Sequence, residues 1–403
     1  MKAQGTHSRR DMLKRSGLAA AGVGTTRLPG WVAAIPSLPD PKQFVANVDR
    51  ARILKAAESA LVEKPLTVVD VPSAKSPGGR HDYFSQADYF WPNPANPSGP
   101  YINRDGQSNP DNFDGHRHVM VRLSLLVPQL TAAWMLTGKA AYADAARAHL
   151  RAWFVTPDTR MNPNLEYSQG VVGVSTGRSY GIIDTLHLVE VARSAVLLQS
   201  NMPDAEWVGV TTWFREYLKW MDTSQKGVTE RDAKNNHATC WALQAAEFAR
   251  VNRDEGIRDR IRQWYMDKLL TTQMAPDGSF PLELARTKPY SYSIFNFDVT
   301  VCLAQSLTVP GRNVVQASLP DGRGACRAAA WLYPYLRDKS SWPYAHDVQH
   351  FDALPVRSPG LLFTGLACNR PDYLDTWKRL NPDPSDREVI RNYPVRQPLL
   401  WVS

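Results

Sequence analysis

The chain has 403 residues, of which 43% are hydrophobic and 21% charged, proportions that exclude a disordered or low-complexity polypeptide and allow a sizeable core. Of the formal net charge of +8, +5 falls in the first 34 residues, and the mild cationic bias of the rest fits an acidic ligand better than a nucleic-acid surface. The four cysteines, Cys240, Cys302, Cys326 and Cys368, have no CxxC spacing, which excludes the common zinc modules and predicts buried free thiols.

In chain order, the first feature is "SRRDMLKRSGLAAAGVGTTRLPGWVAA". Paired Arg9 and Arg10, a short weakly apolar stretch and a small-residue site at Ala33-Ala34 resemble a bacterial twin-arginine export signal. Residues 1–34 are therefore expected to be removed, leaving 35–403 as one periplasmic or secreted catalytic domain. From 41 to 63, Phe44, Val45, Val48, Ile53, Leu54, Ala57 and Leu61 recur at helical spacing. Residues 64–118 then lose all helical period and are rich in Pro, Gly, Asn and Asp. Their many aromatics argue for an ordered loop over a cleft, with Tyr89, Trp91 and Tyr101 as candidates to stack on a ligand.

Helices dominate afterwards, predicted at 119–137, 139–155, 180–201, 203–222, 236–253, 255–273, 293–309, 322–338 and 359–369. No later apolar run reads as a membrane span, so no stable membrane association is expected. Helical hairpins in series make a solenoid or a closed ring, and the lack of a fixed repeat favours an all-α fold of the α/α toroid type, with chemistry in the loops at one end.

Two stretches stand out. In "KNNHATCW" (234–241) one Asn suffices to cap the coming helix, so Asn236 and His237 need another reason. In "DGSFPLELARTKPYSYSIFNFD" (277–298), Arg286 and Lys288 precede Tyr290 and Tyr292 where the next helix begins; alone, these would be a solvated basic pair and packing tyrosines. A third stretch, "YSQGVVGVSTGRSYG" (167–181), offers Gln169, Arg178 and Tyr180 but lacks the spacing of a nucleotide-binding loop. The pairs His116/His118 and His346/His350 have no third ligand, so no metal and no cofactor are expected. Cys240, one turn from His237, reads as a buried apolar residue rather than a nucleophile.

Together the first two stretches resemble the alginate lyase superfamily of polysaccharide lyases, α/α toroids in which an Asn-His pair opens an inner helix and an Arg precedes a catalytic Tyr. The resemblance covers most of the chain after the signal. It implies catalytic roles for Asn236, His237, Arg286 and Tyr292; Lys288, Arg178, Gln169, Tyr180 and Trp91, read from their own residue types and places in the chain, are the expected substrate contacts. Here Ser291, not His, precedes Tyr292, and Arg and Tyr lie six apart, which points to a sister family whose polyuronate could differ. The implied reaction on an acidic polysaccharide, alginate or glucuronan, removes the C5 proton of a uronate and expels the C4 oxygen. Asn236 and Arg286, with or without His237, would neutralise the carboxylate. Tyr292, made more acidic by Arg286 and Lys288, would shuttle the proton. In β-1,4-mannuronan both bonds lie on one face, within reach of one tyrosine; where they lie on opposite faces, His237 would be base and Tyr292 acid. Two other readings compete: a glycoside hydrolase of the same fold using a pair among Glu166, Asp184 and Glu283, and a non-catalytic polyuronate-binding envelope protein.

Overall fold

An aspartate cap and a proline begin the first helix. Asp40 Oδ1 accepts from the Gln43 N–H at 2.8 Å, and Pro41 occupies the first turn of α1 (Pro41–Ala60), where a missing N–H costs nothing. The computed structural model describes residues 40–402; the expected export signal lies outside them. The irregular segment that follows carries three short strands, β1 (Phe84–Gln86), β2 (Phe90–Trp91) and β3 (Ile102–Asn103). β2 and β3 pair antiparallel, and β1 pairs parallel with β4 (Tyr167–Gly170). The segment is ordered by its own polar groups, as its composition predicts: Asn112 Nδ2 donates to the Ala87 and Phe90 carbonyls, and Arg104 N donates to the Tyr89 carbonyl.

The helices that follow are α2 (Gly115–Thr137), α3 (Ala140–Phe154), α4 (Leu188–Leu197), α5 (Asp204–Thr223), α6 (Gln225–Arg231), α7 (Asn236–Val251) and α8 (Glu255–Trp264). After them come α9 (Leu270–Gln273), α10 (Pro281–Leu284), α11 (Pro289–Leu307), α12 (Ala325–Arg337), α13 (Pro359–Ala367), α14 (Pro371–Arg379) and α15 (Arg387–Arg391). They form an α/α toroid. Along its inner wall α2 packs on α4, α4 on α7, α7 on α11 and α11 on α13, while α1, α3, α5, α8, α12 and α14 back them from outside. The burial pattern explains the division. In α7 only His237 and Arg250 escape full burial, as expected for a helix enclosed on all sides, whereas α8 and α14 bury one face each, Arg258, Ile261 and Arg262 in the first and Tyr373, Leu374, Thr376 and Trp377 in the second.

Four expectations need correction. The helix predicted at 180–201 starts as tight 3-10 turns over Ser179–His187, and only Leu188–Leu197 is α-helical. The helix predicted at 255–273 is broken by a π-helical turn at Tyr265–Leu269. α2 is long and apolar enough to cross a membrane by length and composition, but most of it is buried against α1, α3 and α4 as a core helix. Finally, Cys326 and Cys368 are joined by a disulfide across a Cα separation of 6.0 Å, because α12 packs beside the end of α13; Cys240 and Cys302 are buried free thiols.

The chain's last residues return to the inner wall. Buried Glu190 of α4 accepts from the backbone N–H groups of Arg396 and Gln397 and from Trp401 Nε1, at 2.8, 3.0 and 3.0 Å. This anchors α15 close to the first turn of α11, where Lys288 reaches Glu388.

Candidate active site

A cleft of about 490 Å³ opens at the N-terminal ends of α7 and α11, roofed by the irregular segment. Unpaired N–H groups and the positive ends of the helix dipoles face such a place, which favours an anionic ligand before any side chain is counted. Asn235 caps α7, its Oδ1 accepting from His237 N at 3.4 Å. Asn236 and His237, released from capping, both line the cleft.

Each is held from behind by a buried glutamate. Asn236 donates from its backbone N and its Nδ2 to the two oxygens of Glu283, both at 2.8 Å. One proton of the amide is thereby fixed and the group cannot rotate. His237 Nδ1 lies 2.5 Å from Glu230 Oε1, so with the carboxylate as acceptor Nδ1 carries hydrogen and Nε2 is left for the cleft. The edge of Tyr180 packs on the imidazole at a ring separation of 4.9 Å. Burial pushes the carboxyls of both Glu230 and Glu283 up from their ordinary value, against the pull of His237 on the first and of the Asn236 N–H donors on the second.

Across the cleft, Tyr292 sits in the first turn of α11. That turn is shaped by Pro289 and by Asp347, whose carboxylate accepts from the N–H groups of Tyr290 and Ser291 at 2.8 and 2.9 Å. The Tyr292 hydroxyl is 3.0 Å from Arg286 Nη2 and 3.0 Å from the Tyr89 hydroxyl. The Arg286 guanidinium lies 4.1 Å from the centre of the Tyr292 ring and grips Asp105 through Nε and Nη2 at 3.2 and 2.6 Å. Burial outweighs the two cations. It raises the Tyr292 phenol well above its ordinary value, with Arg286 and Lys288 opposing, and the expectation that those cations would make it more acidic than a free phenol is not met.

At the far side, the Arg178 guanidinium is stacked 4.7 Å from the Phe90 ring and 5.2 Å from the Tyr180 ring. Its protein partners are the carbonyl and side-chain oxygens of Gln169, at 3.0 and 3.2 Å, and among the described residues no carboxylate forms a direct ion pair with it, although Asp88, Asp184 and Glu230 act on it from further away. Gln169 has a left-handed φ of 47° and is anchored by Ser85 and Asp184.

Seven of the nine expected site residues therefore share one cleft: Asn236, His237, Arg286, Tyr292, Arg178, Gln169 and Tyr180. Lys288 does not face it. That side chain is only 1% exposed and ends on Glu388 at 2.7 Å, beneath the tyrosine rings. Trp91 is turned away as well, its Nε1 donating to the Gln107 carbonyl and its ring covered by Arg104. The carboxylates proposed for a hydrolase are all engaged: Glu166 with Lys226, Asp184 with Arg117, and Glu283 with Asn236. His116 is bonded through both ring nitrogens to the Phe84 N–H and the Val71 carbonyl, and His350 to Asp386. Cys240 is fully buried, its thiol pushed up by burial.

Sequence reasoning missed Glu230, Asp105, Asp88, Glu388 and Arg391. Asp88 takes Arg117 and Arg391, and Arg391 also takes Glu388 at 2.9 Å, so a chain of alternating charges runs under the cleft floor. His187 lines the cleft too, kept uncharged by burial and by three nearby guanidinium groups.

Comparison with known proteins places these residues in a family. The alginate lyase family matches residues 68–342. An alginate lyase from Bacteroides ovatus superposes with a TM-score of 0.77 at 29% identity, over 89% of this chain and 97% of that one. Alginate lyase A1-III from Sphingomonas species A1 superposes with a TM-score of 0.53 at 15% identity, over 90% and 96% of the two chains. A histidine-to-alanine variant of A1-III complexed with a tetrasaccharide gives 0.56 at 14% identity, over 91% and 97%. No curated protein sequence matches the chain. With a family match over most of its length and the fold of that family, the chain belongs to the alginate lyases and is a polysaccharide lyase.

Proposed function

We propose that the protein cleaves β-1,4-linked, mannuronate-rich alginate by β-elimination, with Tyr292 carrying the proton. The observation that supports this most directly is the Tyr292 hydroxyl suspended between Arg286 and Tyr89, each at 3.0 Å, opposite His237 and Asn236 across one cleft. A uronate seated between them meets the remaining amide proton of Asn236, the imidazole and the guanidinium, which together offset the second charge that builds on its carboxylate as C5 loses its proton. Once Tyr292 gives up its proton, Arg286 and Tyr89 can both donate to the phenolate oxygen. In mannuronan the C5–H and the C4–O bond share a face, so the same phenol returns the proton to the leaving oxygen. Arg178, stacked and in no direct ion pair among the described residues, suits the carboxylate of a neighbouring sugar.

The His237–Glu230 bond favours a second reading. With Nδ1 tied to Glu230, Nε2 is an acceptor, so His237 could serve as base and Tyr292 as acid on α-guluronate, whose two bonds lie on opposite faces. β-Glucuronan differs from mannuronan only at C2 and presents the same geometry at C4 and C5, so it shares the first mechanism. Ultraviolet absorbance of the conjugated C4=C5 uronate, followed with polymannuronate, polyguluronate and glucuronan in parallel, tests all three. A rise with polymannuronate alone is expected; a rise only with another polymer reassigns the substrate, and new reducing ends without absorbance would overturn elimination. The twin-arginine motif supports export to the periplasm or beyond, where such polymers are met, and cell fractionation of an Arg9,Arg10→Lys,Lys variant tests that step.

A further inference from the structure

Glu388 belongs to the C-terminal helix α15, beyond the residues matched by the family. Its Oε1 accepts from Lys288 Nζ at 2.7 Å, Arg391 Nη2 at 2.9 Å and Asn392 Nδ2 at 3.3 Å, and the Tyr89 hydroxyl lies 3.5 Å away. Among the described residues Lys288 forms an ion pair with no other carboxylate, and its ammonium lies 5.2 Å from the Tyr89 ring centre and 5.7 Å from that of Tyr292. The carboxylate offsets the desolvation of this ammonium and fixes its position. Burial works against ionisation of Glu388 too, but Arg391 and Lys288 hold its carboxyl down at about 2, so its charge is fixed at any working pH.

We propose that Glu388 is a positioning residue for the proton-carrying tyrosine: it pins the Lys288 ammonium beneath the Tyr89 and Tyr292 rings and sets how much of that positive charge Tyr292 feels. The inference rests on the reading of Tyr292 as proton carrier. The charged and titratable groups around Tyr292 are Tyr89 from the irregular segment, with Asp88 behind it, and Asp105, which reaches it through Arg286. Arg286 and Lys288 come from the link before α11, Glu388 and Arg391 from α15, His237 and Glu283 from across the cleft, and Asp347 caps α11. Among these, Glu388 alone pairs with Lys288.

The sign follows. Glu388→Gln keeps the shape and an oxygen that accepts from Lys288, so the ammonium stays beneath the rings while the opposing negative charge is gone; the Tyr292 phenolate is favoured and the limb of the kcat–pH profile that Tyr292 governs moves to lower pH. Lys288→Met removes the cation and moves the same limb to higher pH. An opposite charge at this range acts by about one pH unit in each case. The double variant should return close to the wild-type position, and KM should change little in all three, because neither side chain lines the cleft. Coincident limbs for the single variants and wild type would overturn the proposal, as would equal shifts of KM and kcat without movement of the limb. Should Glu388→Gln fail to fold, the charge-balanced double variant compared with Lys288→Met gives the same readout: a limb lower in the double supports the role, and identical limbs refute it. Tyr292→Phe is measured alongside. If it retains turnover, the reading of Tyr292 itself fails; if it is inactive while the limb of Glu388→Gln stays fixed, only the role of Glu388 fails.

Discussion

The two ends of α7 treat buried carboxylates in opposite ways. At the C-terminal end, Glu247 accepts from Arg193 through both oxygens and from Arg250 and Ser306, and although burial opposes ionisation these partners hold its carboxyl at about 2. At the N-terminal end, Glu230 has His237 on one oxygen and, among the described residues, no partner on the other, while Glu283 is met only by amide N–H donors. Burial raises both. A charge matched on every lone pair secures a helix; a charge left half matched keeps its field for whatever enters the cleft. The same helix thus carries a stabilising end and a reactive end.

Four substitutions sharpen or break that division. Tyr292→Phe, at the reactive end of the neighbouring helix, should cut kcat by about 10³-fold or more while substrate binding and melting temperature hold, as read by absorbance turnover and calorimetry. Glu247→Ala should do the reverse. Stranding Arg193 costs roughly 3–5 kcal/mol, a fall of roughly 5 °C for a chain of this size, with the activity of the folded fraction retained. Loss of activity without loss of stability would collapse the distinction. The pH dependence carries the same sign: the folded Glu247 value is depressed below the ordinary 4.5, so its contribution is full above that pH and is lost as pH falls towards about 2. Urea melts of wild type and Glu247→Gln should therefore converge on acidification. Glu230→Gln should lower kcat by about 10- to 100-fold by freeing the His237 ring, without lowering stability at neutral pH, since a raised carboxyl contributes least there. Smallest is Arg178→Ala, expected to raise KM by about tenfold with kcat nearly unchanged, the signature of uniform binding.

Long helices were legible because their apolar positions repeat: α5 and α7 begin within a residue of their predicted starts. Short helices such as α6, α10 and α15 offer too few turns to show a period and were missed. Asn236, His237, Arg286 and Tyr292 could be picked out by motif. Their supports could not, because His237–Glu230, Asn236–Glu283, Lys288–Glu388 and Arg286–Asp105 span 7, 47, 100 and 181 residues, and folding alone brings such pairs together. Lys288 misled for a related reason. A basic residue two positions from a cleft arginine reads as a ligand, yet the start of α11 turns it inwards. Cys326 and Cys368, 42 residues apart in apolar contexts, likewise gave no sign of meeting.

The grip of Arg286 on Asp105 gives the cleft a carboxylate of its own. The guanidinium is already stripped of much of its water and already faces a carboxylate, so on the proposed reading an arriving uronate exchanges one anion for another at small net cost. A neutral sugar, or a uronate masked as its ester, has nothing to offer in that exchange and must leave Asp105 where it is. If Arg286 takes the substrate carboxylate as proposed, the cleft selects its glycans by an exchange that only a free uronate can make.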